Sequence, residues 1–153
     1  MCIRDRSFVG VAVRKGAPRP DISSRATFIQ TLRNAKSIAR SRLGASGQHF
    51  GSLLEKFGIA DELASKITAY DGMAGQSCAD GTNEIAIQQI SELMPVAGLD
   101  IVGPLPDEIQ KVSVFSAGIG ANTAKRGAAE RFIAYVKSRD CDSILRDKGL
   151  EPA

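Results

Sequence analysis

Tryptophan is absent from this chain, and Phe and Tyr together make up only 5% of its 153 residues. A folded core must therefore be built from Ile, Val, Leu and Ala. His49 is the single histidine, and the three cysteines, Cys2, Cys78 and Cys141, lack the spacing of metal ligands. We therefore predict no metal site. No apolar run approaches the roughly 20 residues of a membrane span, so no membrane insertion is predicted.

Charge is spread unevenly along the chain. Residues 1–60 carry 11 basic and 3 acidic side chains, whereas residues 61–110 carry 1 basic and 9 acidic ones. A basic N-terminal region can indicate nucleic-acid binding. Here the cations are scattered, with almost no aromatic residues between them, so no nucleic-acid partner is predicted. The 43% of hydrophobic and 24% of charged residues are ordinary for a globular protein, which excludes disorder, collagen and a coiled coil.

The first seven residues, MCIRDRS, have no signal-peptide pattern and are interpreted as a non-native start that replaces a missing upstream part. From Phe8 onward, strand patterns alternate with helix patterns. This alternation predicts an α/β fold with a mostly parallel sheet covered on both faces. Strands are expected near 8–13, 37–39, 66–70, 84–87, 99–102 and 112–119, the last being the longest, and the closing helices near 123–138 and 140–148. In the first closing helix, the side chains of Ala128, Phe132, Ile133 and Val136 are expected to face inward.

The sharpest local motif is GASG at residues 44–47, between a predicted strand and a predicted helix. Small residues allow close approach of a ligand, and the first N–H groups of a helix lie at the positive end of its dipole. Ala45, Ser46 and Gly47 therefore form a candidate anion site, to which Arg40 and Arg42 could add positive potential. The alternative is a small-residue turn in which Ser46 is a plain helix N-cap.

Two further groups of residues could carry function. Gln88 and Gln89 stand where a strand ends and a helix begins, a position at which α/β sheets bind ligands. Their amides suit binding rather than acid–base chemistry, and a solvent-facing turn is the alternative. His49 could act as a base on Ser46 or Ser52, but no orienting acid accompanies it in the sequence, and a helix-surface histidine is favoured.

Four segments of the chain carry a resemblance to a known family: VAVRKGAPRPDIS at residues 11–23, GASG at 44–47, NEIAIQQISEL at 83–93 and VGPLP at 102–106. Taken together, they resemble the substrate-binding proteins of molybdate-type ABC transporters, members of the type II periplasmic binding protein family. The resemblance implies two α/β lobes that close on a ligand about two crossing strands. It makes residues 8–16 the first hinge strand, 17–111 the second lobe, 112–119 the second hinge strand, and 120–153 the final helices of the first lobe.

The resemblance also implies a function: periplasmic capture of a molybdate-like oxyanion or another small polar solute for an ABC permease, without enzymatic activity or a cofactor. The family positions that hold the anion correspond to Ala45, Ser46 and Gly47. Gln89, flanked by Gln88, stands where the family commonly has a tyrosine, and Arg42-Leu43 replaces an Asp-Pro pair. These departures favour a solute other than molybdate. Two alternatives stay open: an effector-binding domain of a LysR-type regulator and a small serine hydrolase.

Overall fold

The computed structural model describes the backbone of residues 2–152 and the side chains of residues 5–152. Contacts divide the chain into two compact units. We call Phe8–Lys111 the larger unit, and residues 1–7 together with those from Val112 onward the smaller unit. Strand β1, Cys2–Arg14, contributes its first residues to the smaller unit and the others to the larger one.

After β1, the larger unit alternates helices and strands, with 3-10 turns at Ala64–Lys66 and Asp107–Ile109. In chain order they are α1 Arg25–Asn34, β2 Ile38–Ser41, α2 Ala45–Phe57, α3 Ala60–Leu63, β3 Ile67–Tyr70, α4 Ala74–Ala79, β4 Ile85–Gln89, α5 Ile90–Leu93 and β5 Leu99–Pro104. The smaller unit adds β6 Val112–Ala117, α6 Arg126–Val136, a 3-10 turn at Arg139–Cys141, α7 Asp142–Asp147 and β7 Glu151–Pro152.

The sheet of the larger unit has the order β3-β2-β4-β1-β5 and is mixed. Strand β2 runs parallel to β3 and β4, but β1 runs antiparallel to both β4 and β5, so the prediction of a mostly parallel sheet is wrong for β1. The extended, proline-containing connector before α1 gives the reason. It carries the chain to the opposite end of the sheet, where the Arg25 N–H donates to the Glu108 carboxylate at 2.6 Å. Helix α1 then returns, and β2 starts at the end of the sheet where β1 stops, with β4 between the two strands.

The two faces of this sheet carry side chains of different size. One face presents Val and Ile residues of β1, β2 and β4 to α1 and α2, whose Phe28, Leu32 and Phe50 are fully buried. The other face presents Ala12, Ala39 and Ala86 under α4 and α5. Small residues let these short helices approach the sheet closely. The core is thus made of Ile, Val, Leu and Ala with two buried phenylalanines, as the composition predicts.

Helix ends in the larger unit follow local sequence signals. Ser24 is the N-cap of α1 and forms a capping box with Thr27. Gly58 ends α2 with a φ of 68°, a left-handed conformation that glycine adopts without a steric penalty.

The smaller unit departs from prediction in three ways. Helix α6 buries none of its residues, and the Phe132 side chain is 67% exposed, so the predicted inward face is not buried. A row of apolar side chains along a helix becomes part of a core only where another element covers it. Residues 2–7, excluded from the fold prediction, belong to β1, whose Asp5 and Arg6 pair with β7. Strand β1, with 13 residues, is therefore longer than β6, with 6.

Candidate functional site

One edge of the larger sheet collects the ends of three parallel strands. Ser41 ends β2 and lies opposite Tyr70, the last residue of β3, while Arg40 lies opposite Ile87 of β4. The end of β2 therefore lies beside Gln88 and Gln89, the last two residues of β4. Ligands of α/β sheets bind at the carboxyl ends of strands, so this edge is the candidate site.

Helix α2 begins at this edge without a hydrogen bond from a capping side chain. Its N-cap residue is Gly44, which has no side chain, so the alternative of Ser46 as a plain N-cap is wrong. The first intrahelical hydrogen bond runs from Gln48 N to Gly44 O at 3.0 Å, which leaves the earlier N–H groups without helical partners. The first turn carries no acidic side chain. Ala45, Ser46 and Gly47 therefore present amide donors at the positive end of a 13-residue helix.

Ser41, which the sequence analysis did not single out, faces this helix start. The residue is 7% exposed, and its buried Oγ has no hydrogen-bond partner within the described part of the chain. The Oγ lies 2.6 Å and 2.7 Å from the positions that a Cβ would take on Gly44 and Gly47. A buried hydroxyl without a partner is energetically costly, which makes it a candidate ligand donor. Its place at the carboxyl end of a parallel strand was the available sequence signal.

Gly47 has a steric reason to be glycine. A Cβ at this position would lie 1.8 Å from the carbonyl oxygen of Ser41, far inside van der Waals contact. The first turn of α2 therefore sits directly on the end of β2. This close approach brings the helix amides and the Ser41 hydroxyl together at one point.

The side chains of the two arginines before the GASG loop bond to other residues of the chain. The Nη1 of Arg40 donates to Gly47 O at 3.0 Å, and the Nε of Arg42 pairs with the Asp71 carboxylate at 2.7 Å. Arg42 also donates to Ala69 O at 2.9 Å. These guanidinium groups hold the loop in place, and the charge of Arg42 is balanced by the Asp71 carboxylate.

Gln88 and Gln89 are both buried, so the alternative of a solvent-facing turn is wrong. The Oε1 of Gln88 accepts a hydrogen bond from the Gly75 N–H at 3.2 Å, at the start of α4. Its side-chain nitrogen has no hydrogen bond to any described residue. Gln89 pairs with Val9 in the β1–β4 ladder and precedes α5. Among the predicted site residues, Ala45 is exposed, whereas Ser46, Gly47 and the two glutamines are buried.

His49 is committed to a structural contact. Its Nε2 lies 2.8 Å from the carbonyl oxygen of Ile109, and because a carbonyl only accepts, the ring donates from this nitrogen. Within the described residues no carboxylate makes a hydrogen bond to the imidazole. An Nε2 that donates to a carbonyl is not a base for Ser46, which weakens the serine hydrolase alternative.

The other reactive groups are poor candidates for chemistry. Burial raises the pKa of the Cys78 thiol to about 11, so it stays protonated and unreactive at neutral pH. The Cys2 side chain lies outside the described residues. In the described part of the chain, no group of three or more His, Cys, Asp or Glu residues could hold a metal ion. No described helix is long and apolar enough to cross a membrane.

An apolar groove of about 410 Å³ lies at the other end of the sheet, between the connector after β1, helix α1 and the start of β4. Its polar groups already have partners: the Arg19 guanidinium donates to Ile101 O, and the Glu84 carboxylate accepts from the Lys36 N–H, both at 2.6 Å. No unpartnered buried group points into it. The edge that carries Ser41 is therefore the better candidate site.

Comparison with known proteins identifies the family. The profile described as "Bacterial extracellular solute-binding protein" matches residues 6–151. The chain belongs to this family. It is also 36% identical over 149 residues to an aconitate isomerase from Pseudomonas sp., covering 96% of this chain and 56% of that protein. The chain thus spans little more than half the length of this curated relative.

Solved structures agree on the fold of this family member. The substrate-binding domain of a putative molybdenum ABC transporter from Clostridium difficile matches with a TM-score of 0.66 and 14% identity, covering 97% of this chain and 65% of that one. The periplasmic molybdate-binding protein of Azotobacter vinelandii matches with a TM-score of 0.62 and 16% identity, covering 95% and 67%. The predicted periplasmic-binding-protein fold is confirmed, and identities this low establish the fold alone.

Proposed function

We propose that this chain forms the solute-binding part of an extracytoplasmic protein that captures a small anionic solute for an ABC permease. The anion would be held by the amides of Ala45, Ser46 and Gly47 and by the hydroxyl of Ser41. The observation that carries the proposal is the buried Ser41 hydroxyl, which has no hydrogen-bond partner among the described residues and is aimed at a helix start without a side-chain cap. Backbone amides and a hydroxyl at a helix N-terminus form a typical anion site.

Gln88 and Gln89 contribute polar amides beside this anion site. We propose that the side-chain nitrogen of Gln88 donates to a second polar group of the solute, because its Oε1 is already held by Gly75. Capture follows hinge closure, in which the solute favours the closed state through the additional contacts made there. These roles require no cofactor.

The solute is proposed to be a small carboxylate rather than molybdate. The relative with 36% identity is an aconitate isomerase, which acts on a carboxylate. A carboxylate offers two acceptor oxygens to amide and hydroxyl donors, and further carboxyl groups could reach the neighbouring glutamines. Molybdate is the comparison ligand, because the molybdate-binding protein shares the fold at only 16% identity.

Titration of the amide resonances tests the proposal. We expect aconitate to shift the amide signals of Ala45, Ser46 and Gly47 in a saturable manner, and molybdate, sulfate and phosphate to do so less. The start of α6, whose N-cap Lys125 also makes no side-chain cap, is an internal control for nonspecific anion binding. Shifts of equal size at both helix starts, or no saturable shift with any of these anions, would contradict a built anion site at α2.

Isomerisation of an unsaturated carboxylate is a second candidate function, favoured by the same relative. It needs a group that removes and returns a proton. The donors assembled at the α2 edge are amides and hydroxyls, which bind anions but are weak acids and bases. We therefore favour capture without catalysis. Conversion of cis-aconitate to the trans isomer by the purified chain, lost in Ser41→Ala, would instead support an isomerase.

A further inference from the structure

The side chain of Gln110 makes four hydrogen bonds at one end of the larger unit. Its Oε1 accepts from the backbone N–H of Val9 at 3.0 Å and of Lys111 at 2.9 Å. Its Nε2 donates to the carbonyl oxygens of Val9 at 2.9 Å and Leu105 at 3.2 Å. A primary amide has two donors and two principal acceptor sites, so every one of them is used. We call this arrangement the Gln110 clamp.

The Gln110 side chain replaces one half of a backbone pairing. The β1–β5 ladder pairs Gly10 with Pro104, and the Leu105 N–H then donates to Val9 O at 2.9 Å. The two groups that would form the return bond, Val9 N–H and Leu105 O, bond to the Gln110 amide instead. The Gln110 amide supplies both a donor and an acceptor to Val9, as a paired residue of an antiparallel strand would.

The clamp joins the two segments by which the chain enters and leaves the larger unit. Val9 is the second residue of that unit and Lys111 is its last. Val9 and Gln110 are 101 positions apart in the sequence. One side chain therefore fixes the backbone of both segments relative to each other.

His49 connects this region to the helix that carries the candidate site. Its ring donates to the carbonyl oxygen of Ile109, the residue before Gln110, at 2.8 Å. His49 follows Gly47 by two positions on α2, and Ile109 is buried in the core. The first turns of α2 are therefore linked through two side chains to the backbone at Val9 and Lys111.

We propose that Gln110 is a positioning residue that holds the entering and leaving segments of the larger unit together, and that His49 couples this clamp to the anion site at α2. The coupling rests on the proposed function, because it assigns a ligand to α2. An anion bound at the start of α2 would restrain the helix, and through His49 it would tighten the clamp. Gln110 need not touch the solute to do this.

Amide hydrogen exchange of the full chain, without ligand, tests the clamp. Gln110→Leu removes all four hydrogen bonds, and we expect exchange at Val9 and Lys111 to accelerate about tenfold or more. Gln110→Met keeps the length of the side chain without its amide and should accelerate exchange at Val9 and Lys111 in the same way, so it serves if the leucine variant fails to fold. Gln30→Leu is the matched control, since Gln30 bonds to Asn34 on the exposed side of α1. Unchanged protection of Val9 and Lys111 in a folded Gln110→Leu protein would overturn the clamp.

A second arm adds aconitate as the probe and tests the coupling. In the unmodified chain we expect bound aconitate to slow exchange at Val9 and Lys111. In His49→Phe this slowing should disappear while aconitate still binds, with an affinity lowered by no more than the coupling that is lost, because the ring does not contact the site. Binding of aconitate without any change at Val9 and Lys111 would overturn the coupling. Failure of aconitate to bind would count against the proposed function, and the ligand-free arm would still decide the clamp.

Discussion

The larger and smaller units use similar apolar residues with different results. In the larger unit, Phe28 and Phe50 are fully buried between helices and the sheet. In the smaller unit, Phe132 and Tyr135 of α6 are 67% and 58% exposed, and β6 leaves Val114 and Phe115 about half exposed. The comparison shows that apolar periodicity creates a face, but only a second element turns that face into a core.

The largest expected difference between the units is in the response to loss of a phenyl ring. Phe50→Ala removes a fully buried side chain and should lower the free energy of unfolding by about 3–5 kcal/mol. Phe132→Ala removes an exposed ring and should change it by less than about 0.5 kcal/mol. Denaturant unfolding followed by circular dichroism measures both. Equal losses would mean that the Phe132 face is covered in solution.

Two helical glycines provide the next contrast. In Gly47→Ala the new methyl group meets the Ser41 carbonyl oxygen, so we expect a loss of about 1–3 kcal/mol and loss of anion binding. In Gly127→Ala of α6 the nearest atom would be Arg131 Nη1 at 3.6 Å, an ordinary contact. That change should stabilise by up to about 1 kcal/mol through helix propensity. Thermal unfolding compares them, and a neutral Gly47→Ala would contradict the close packing of α2 on β2.

Ser41→Ala should act on binding rather than on folding. Removing the unpartnered buried hydroxyl should leave the free energy of unfolding unchanged or slightly higher. The affinity for aconitate should fall about ten- to a hundredfold, since a hydrogen bond to a charged group is lost. Ser143→Ala, in exposed α7 of the smaller unit, is the matched control. Calorimetry that finds equal affinities in the two variants would remove Ser41 from the site.

Removing an ion pair should have the smallest effect on the free energy of unfolding, and this effect should depend on pH. The hydrogen bond from Arg33 lowers the pKa of Glu62 below its ordinary 4.5. A carboxyl with a lowered folded-state pKa stabilises above pH 4.5, and this contribution disappears as the pH falls through the lowered value. In Glu62→Gln, the free energy of unfolding should therefore fall slightly less steeply as the pH is lowered into the acid range.

Glu130→Gln is the matched control for this ion pair. Arg126 and Glu130 in α6 are 4.0 Å apart, a looser contact than the 2.9 Å pair of Arg33 and Glu62. For this variant we expect no change in how the free energy of unfolding depends on pH in the acid range. If the free energy of unfolding of Glu62→Gln and of the unmodified chain depended on acid pH identically, solvent would screen the tighter pair completely.

A local signal in the sequence, the GASG motif, predicted the start of α2 correctly. The candidate site was predicted in part, because Ala45–Gly47 and Gln88–Gln89 do lie at the ends of neighbouring strands. Ser41 was missed because its importance depends on two glycines that pack against it. Whether Ala45, Ser46, Gly47, Gln88 and Gln89 bind a ligand stays a prediction, as do the lobe boundaries.

The sequence by itself determined most of the helix and strand segments, the α/β class and the composition of the core, because these depend on periodicity, caps and turns over a few residues. Only the tertiary structure decided the antiparallel direction of β1, the exposure of α6, and the contacts of His49 and Gln110. These features depend on pairings between residues far apart in the chain, up to 101 positions for Val9 and Gln110. No local preference fixes such a pairing, since it depends on which groups remain unpartnered after the chain has folded.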